Sequence, residues 1–144
     1  MVVAGAEEGE FAFSESNDLD GSGIYGEHAE NTRKVPVVKL DTIINNKGSY
    51  LLKLDTHGYE IPIFEGAEKI LRDTELIVVE VYGYYVSPTA KLFPDICKYL
   101  DDKGFRLVNL IDVINRPIDR TFWQADAFFV KKTHKVFYIN QYTV

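Results

Sequence analysis

Asp55 closes the apolar run Leu51-Leu52-Lys53-Leu54, and Glu80 interrupts a second one, Val78-Val79-Glu80-Val81-Tyr82. If these runs are neighbouring parallel strands, the two carboxylates meet at their carboxyl ends. There they suit orienting a hydroxyl substrate, accepting its proton or binding a cation. The competing reading is structural: Asp55 caps the next helix and Glu80 pairs with a lysine. Histidine titrates near neutrality, so His57, two residues beyond Asp55, adds a group able to assist a proton transfer. It also reads simply as a solvated loop residue. Tyr82, Tyr84 and Tyr85 crowd behind Glu80, and Trp123 stands in the segment joining the last two apolar runs. Such aromatics stack a sugar or a planar ring at the mouth of a site, or cover a sheet edge. Tyr82 and Trp123 are therefore the candidate substrate-binding residues.

Other chemistry is poorly served. Asp55, His57 and Glu60 carry donor atoms, but no recognised metal-ligand spacing is present and His28 and His134 are remote, so no metal centre is expected. Gly21-Ser22-Gly23-Ile24-Tyr25-Gly26 fits G-x-G-x-x-G in letters only, lacking an apolar strand before it and a helix with a packing face after it. Cys97 falls on the buried stripe of a helix and reads as core packing.

The elements that must position these residues follow from apolar spacing. Residues 35–40 read as a strand, Asp41 as the cap of a short helical turn through residue 46, and residues 51–54 as a second strand. A helix follows, with Pro62 in its first turn and Phe64, Ala67 and Leu71 on one face. Residues 75–82 form the next strand, whose continuous apolar core suits a parallel strand covered on both sides. Phe93, Ile96, Cys97 and Leu100 mark another helix, ended by Gly104. Residues 105–113 and 125–131 are two further strands, joined too closely for a crossover helix and hence antiparallel. Residues 14–34, rich in Gly, Ser, Asn and acidic groups, read as one long polar loop and a candidate lid. The expected fold class is α/β: a mainly parallel sheet with a closing antiparallel hairpin. Ligands of such sheets bind outside the carboxyl ends of the strands, which is where Asp55 and Glu80 fall.

At 144 residues the chain suits one domain, residues 1–132, followed by a tail at 133–144 whose Val136-Phe137-Tyr138-Ile139 reads as an extra strand or a partner contact. The net charge of -6 and the scattered basic residues argue against nucleic acid as a partner. The amino terminus lacks a basic region followed by an apolar stretch, and the longest apolar run is broken by Glu80, so no signal peptide or membrane span is expected. With one cysteine, the chain reads as cytoplasmic.

Lys53-Leu54-Asp55-Thr56-His57-Gly58-Tyr59-Glu60, with Phe64-Glu65-Gly66-Ala67 behind it, resembles the K-x-D-x-x-G-x-E … L-x-G-A signature of FkbM-type methyltransferases. Val35-Pro36-Val37-Val38-Lys39-Leu40-Asp41 resembles the family's V-x-V-x-x-L-D segment, and Ile77-Val78-Val79-Glu80-Val81 its next strand. Gly104-Phe105-Arg106-Leu107 and Ala125-Asp126-Ala127-Phe128-Phe129-Val130 resemble its closing strands. The resemblance implies a Rossmann-like sheet and S-adenosylmethionine as cofactor. It implies transfer of a methyl group to a hydroxyl oxygen of a sugar or similar metabolite, with Asp55, His57 and Glu80 as catalytic residues.

By the same resemblance, Val2 to Ala6 matches the tail of the family's third strand, and the glycine-rich cofactor loop would precede it. The chain is thus expected to be the carboxyl-terminal part of a methyltransferase domain, with no cofactor-binding residue assignable. The strand at 51–54 is then an uncovered edge, through which a homo-oligomer is expected. A second reading, from another class, is a non-catalytic binding or assembly module derived from such an enzyme.

Overall fold

The computed structural model describes residues 2–14, 23–24 and 32–143. In chain order the elements are strands β1 (Val3–Ala4), β2 (Gly9–Ser14), β3 (Gly23–Ile24) and β4 (Thr32–Val38), helix α1 (Leu40–Ile43), and strand β5 (Tyr50–Leu54). Helices α2 (Glu60–Glu65) and α3 (Glu68–Asp73), strand β6 (Thr74–Tyr82) and helix α4 (Phe93–Asp102) follow. Strands β7 (Phe105–Asn115) and β8 (Phe122–Lys131) and a single 3-10 turn (Lys135–Phe137) complete them. The class is mixed α/β. No helix among the described residues is long and apolar enough to cross a membrane.

Two four-stranded sheets replace the single, mainly parallel sheet read from the sequence, ordered β1-β4-β2-β3 and β5-β6-β8-β7. β1 runs parallel to β4, but β2 pairs antiparallel with both β3 and β4, and β8 pairs antiparallel with both β6 and β7. The closing hairpin is as expected. Thr32, Arg33 and Lys34 belong to a strand, not to a polar loop, because Ser14, Phe13 and Ala12 of β2 supply their ladder partners. Long-range pairing there overrides local polarity. The rest of the expected loop, residues 15–22 and 25–31, lies outside the described residues.

The chain divides into two compact units: Met1–Tyr50, Asp55–Thr74 and Tyr85–Ala90 make the first, and Leu51–Leu54, Glu75–Tyr84 and Lys91–Val144 the second. In the first, the buried face Phe64, Ala67 and Leu71 appears as read, but on two short helices and not one. Asp41 is the cause. In an unbroken helix the amide of Ile70 would bond the carbonyl of Gly66. Here the Asp41 amide donates to the Gly66 carbonyl at 3.0 Å, and the Asp41 carboxylate accepts from the amides of Lys69 and Ile70 at 2.8–3.0 Å. Asp41 therefore sits inside α1, where it caps α3 from 28 residues away and not the turn read from the sequence. Gly66 meets the Gly5 carbonyl so closely that no side chain fits between them.

Replacing Asp41 with Ala strands two amides at the start of α3. It is expected to lower unfolding free energy by about 1 kcal/mol, the usual worth of a cap. Urea unfolding of Asp41→Ala measures this, and an unchanged midpoint would show that water serves those amides as well.

In the second unit, strand alternation separates two faces. Ile77, Val79 and Val81 of β6 lie opposite Phe129, Ala127 and Ala125 of β8, and all six are fully buried. The other face carries Val78, Glu80 and Tyr82 opposite Phe128, Asp126 and Gln124. α4 begins with Pro94 in its first turn, buries Ile96 and Leu100, and ends at Gly104 with φ 87. Cys97 is half-buried, and burial pushes its thiol pKa up, away from the reactive thiolate. Of the two readings of the tail, the extra strand is not formed: residues Lys135–Phe137 make a 3-10 turn. His134 Nδ1 accepts from the Val136 amide at 3.2 Å and starts the 3-10 turn, and Arg106 stacks over Phe137 at 4.4 Å.

Candidate functional site

In the first unit the polar segment from Asp55 to Glu60 leads into α2. Glu60 is almost completely buried, and its Oε1 accepts from the Gly58 amide and from the Thr56 hydroxyl, each at 2.9 Å. A buried carboxylate that ties residues two and four positions back fixes the shape of the whole segment. Its position at the start of α2 agrees with the helix dipole as well, but the two bonds explain why this glutamate is inside. That role was missed in the sequence. The D-x-x-G-x-E spacing was the available signal, since only the conformation shows that Glu60 turns back on the segment.

The fixed shape includes two consecutive left-handed residues, His57 at φ 50 and Gly58 at φ 113. For histidine that conformation costs on the order of 1 kcal/mol, and such strain is retained where surrounding bonds over-determine it. Gly58 is buried, and a Cβ there would collide with the Ser87 hydroxyl and lie 2.8 Å from the Ala90 Cα. The result presents Asp55 with half of its side-chain surface open to solvent, and His57 Nε2 lies 3.9 Å from Asp55 Oδ1. Asp55 and His57 thus stand side by side, on a segment whose shape the Glu60 bonds hold. Behind it, burial and the nearby Glu65 carboxylate raise the pKa of Tyr59.

Glu80 belongs to the second unit, together with Tyr82. The Tyr82 hydroxyl donates to Glu80 Oε2, and Gln124 Nε2 donates to Oε1 at 2.6 Å. Both carboxylate oxygens are therefore held in a set orientation. Lys53 approaches Asp126 on the same face at 3.8 Å. Gln124 and Asp126 were not singled out from the sequence, because their place opposite Tyr82 and Glu80 depends on the β6–β8 register.

Trp123 lies within β8 and not in the connecting loop. Its ring stacks on Tyr84 with centroids 5.5 Å apart. Arg116 covers the Tyr84 ring at 4.5 Å and bonds Asp119, which accepts from the Thr121 amide and hydroxyl, while the Thr121 and Tyr84 hydroxyls lie 2.7 Å apart. The Thr121 bonds, with Arg116, hold the Asp119 carboxyl below its ordinary pKa. Gly83 allows this end of β6 to approach Phe122, whose carbonyl a Cβ would strike. Tyr82 and Trp123, grouped in the sequence reading, thus join different clusters: Tyr82 fixes a carboxylate, and Trp123 forms part of an aromatic stack.

Comparison with curated proteins and with solved structures gave no match. A family model, the methyltransferase FkbM domain, matches residues 3–107 and so spans Asp41, the Asp55–Glu60 segment, Gly66 and Glu80. The residues that build the segment in the structure are those that carry the family's spacing, and the chain belongs to the FkbM methyltransferase family.

Proposed function

We propose that the chain provides the acceptor side of an S-adenosylmethionine-dependent O-methyltransferase acting on a sugar or another hydroxylated small metabolite. The observation that carries this reading is the strained segment at 55–60, which holds an open carboxylate beside an imidazole. S-adenosylmethionine presents a cationic sulfonium and ammonium, a ribose diol and an adenine. Asp55 suits the cationic end; a glycine-rich strand-loop-helix to hold the remainder is not among the described residues. When bound, the cofactor supplies an electrophilic methyl group.

The chain's own residues then have distinct tasks. Asp55 accepts the proton of the acceptor hydroxyl as that oxygen takes the methyl group, and His57, 3.9 Å away, helps to carry the charge. In the second unit, Glu80, fixed through both oxygens by Tyr82 and Gln124, is set to accept a hydrogen bond from a hydroxyl group. Trp123, backed by Tyr84, offers a rigid ring face to the apolar side of a sugar.

The test is transfer of a labelled methyl group from S-adenosylmethionine to a panel of methyl glycosides and polyols, with their deoxy analogues as controls. Label on the hydroxylated compounds alone supports the reading. Label on none of them, from a folded protein that binds the cofactor product, would overturn the proposed acceptor class. Gln124→Ala releases one oxygen of Glu80 and is expected to raise KM for the acceptor by about tenfold, the worth of one charge-assisted hydrogen bond. An unchanged KM would remove Glu80 from acceptor binding.

A further inference from the structure

Tyr85–Ala90 follows β6 in the chain, yet it belongs to the first unit and lies against the Asp55–Glu60 segment. Gly58 makes this possible. Having no side chain, it lets the Ala90 Cα and the Ser87 hydroxyl settle directly on its backbone, in the space that a Cβ would fill. Ala90 is thereby 3% exposed. Ser87-Pro88-Thr89-Ala90 forms one turn, closed by the Ala90 amide, which donates to the Ser87 carbonyl at 3.2 Å. Pro88 in its second position pre-sets the φ that such a turn needs, so the turn is stiff before it docks.

Two hydroxyls ride on this turn. Ser87 Oγ and Thr89 Oγ1 lie 3.4 Å apart, at the outer limit of a hydrogen bond, and among the described residues neither has another hydrogen-bonding partner. Ser87 is half-buried and Thr89 is exposed. The turn itself needs neither group, because the bond that closes it runs between backbone atoms. Each hydroxyl can donate one hydrogen bond and accept others. A single oxygen held between them can therefore accept from one and donate to the other, both at ordinary lengths.

We propose that Ser87 and Thr89 bind the acceptor through a hydroxyl adjacent to the one that is methylated, so that the preferred acceptor is a neutral vicinal diol. This rests on the reading of Asp55 and His57 given above. Those two groups serve the proton of the reacting hydroxyl but do not tell one hydroxyl of a polyol from the next. A neighbouring oxygen taken up by Ser87 and Thr89 supplies that choice, leaving the hydroxyl on the next carbon for Asp55. The Asp55 carboxylate, half open on the same segment, repels a carboxylate or phosphate brought to this place, which keeps the acceptor neutral.

Steady-state transfer of a labelled methyl group to a methyl hexopyranoside and to its monodeoxy analogues tests this, with the wild-type chain beside Ser87→Ala and Thr89→Val. Each variant is expected to raise KM for the parent glycoside about fivefold, the worth of one neutral hydrogen bond, with kcat within about twofold. For the analogue that lacks the neighbouring hydroxyl, KM is expected to be raised already in the wild-type chain and to rise no further in either variant. A merely structural role would raise KM for both compounds alike. Urea midpoints and affinity for S-adenosylhomocysteine are expected to match wild type. An unchanged KM in both variants, or an equal rise for the glycoside and its deoxy analogue, would overturn the proposal. If the wild-type chain transfers no methyl group, calorimetric titration with the same glycoside separates the two readings. Binding that Ser87→Ala weakens about fivefold upholds the hydroxyl site and removes the reaction; no binding, or binding indifferent to Ser87→Ala, removes the site as well.

Discussion

Gly58→Ala is expected to unfold the Asp55–Glu60 segment or much of the first unit, at a cost of roughly 3 kcal/mol or more. Two independent penalties combine. Gly58 sits at φ 113, where an L side chain is strained, and its Cβ would lie 2.8 Å from the Ala90 Cα and 2.9 Å from the Ala90 Cβ. The backbone cannot step aside, because the Gly58 amide is one of two donors that satisfy the buried Glu60. Moving that amide leaves a buried carboxylate short of a partner, a third cost of the same order. Urea unfolding measures the loss. A Gly58→Ala protein within 1 kcal/mol of wild type would show that the segment is softer than its bonds imply. Any activity should fall with the fold, since His57 and Asp55 take their positions from this turn.

Asp55→Asn should act oppositely, with large effect on chemistry and little on stability. The side chain is half exposed, and asparagine keeps its size, so unfolding should change by less than about 0.5 kcal/mol. The amide cannot accept the acceptor's proton, and methyl transfer should drop by about 10²–10⁴-fold, the usual worth of a positioned general base. Transfer retained within threefold in Asp55→Asn would move the proton to His57 or to solvent. His57→Asn separates these cases. If His57 acts only through Asp55, its loss is expected to cost about tenfold in the wild-type chain and little further in Asp55→Asn.

Local patterns placed β6, α4 and the β7–β8 hairpin near their true bounds, because each is read from spacing within its own residues. Phe93 to Gly104 shows this well: the proline start, the Ile96 and Leu100 stripe and the left-handed glycine stop are all local signals. What escaped the sequence was written between distant residues. The helix behind Pro62 is cut in two by a carboxylate on α1, and β4 starts early because β2 pairs with it. Within the candidate site, Asp55, His57 and Glu80 stood out as polar groups at strand ends. Glu60 was noticed only as a donor atom and a motif position, and Gln124 and Asp126 not at all, because their meaning lies in a backward turn and in a cross-strand register. Trp123 was placed in a loop because the hairpin was read three residues too short at β8.

The most direct test of the central claim, that this chain retains the working acceptor side of a methyltransferase, is calorimetric titration of the 144-residue protein with S-adenosylhomocysteine, beside Asp55→Ala. Saturable binding by the wild-type chain is expected, weakened in the variant because the carboxylate that faces the ligand's ammonium group is gone. No binding by a wild-type protein shown to be folded, or binding indifferent to Asp55→Ala, would contradict it.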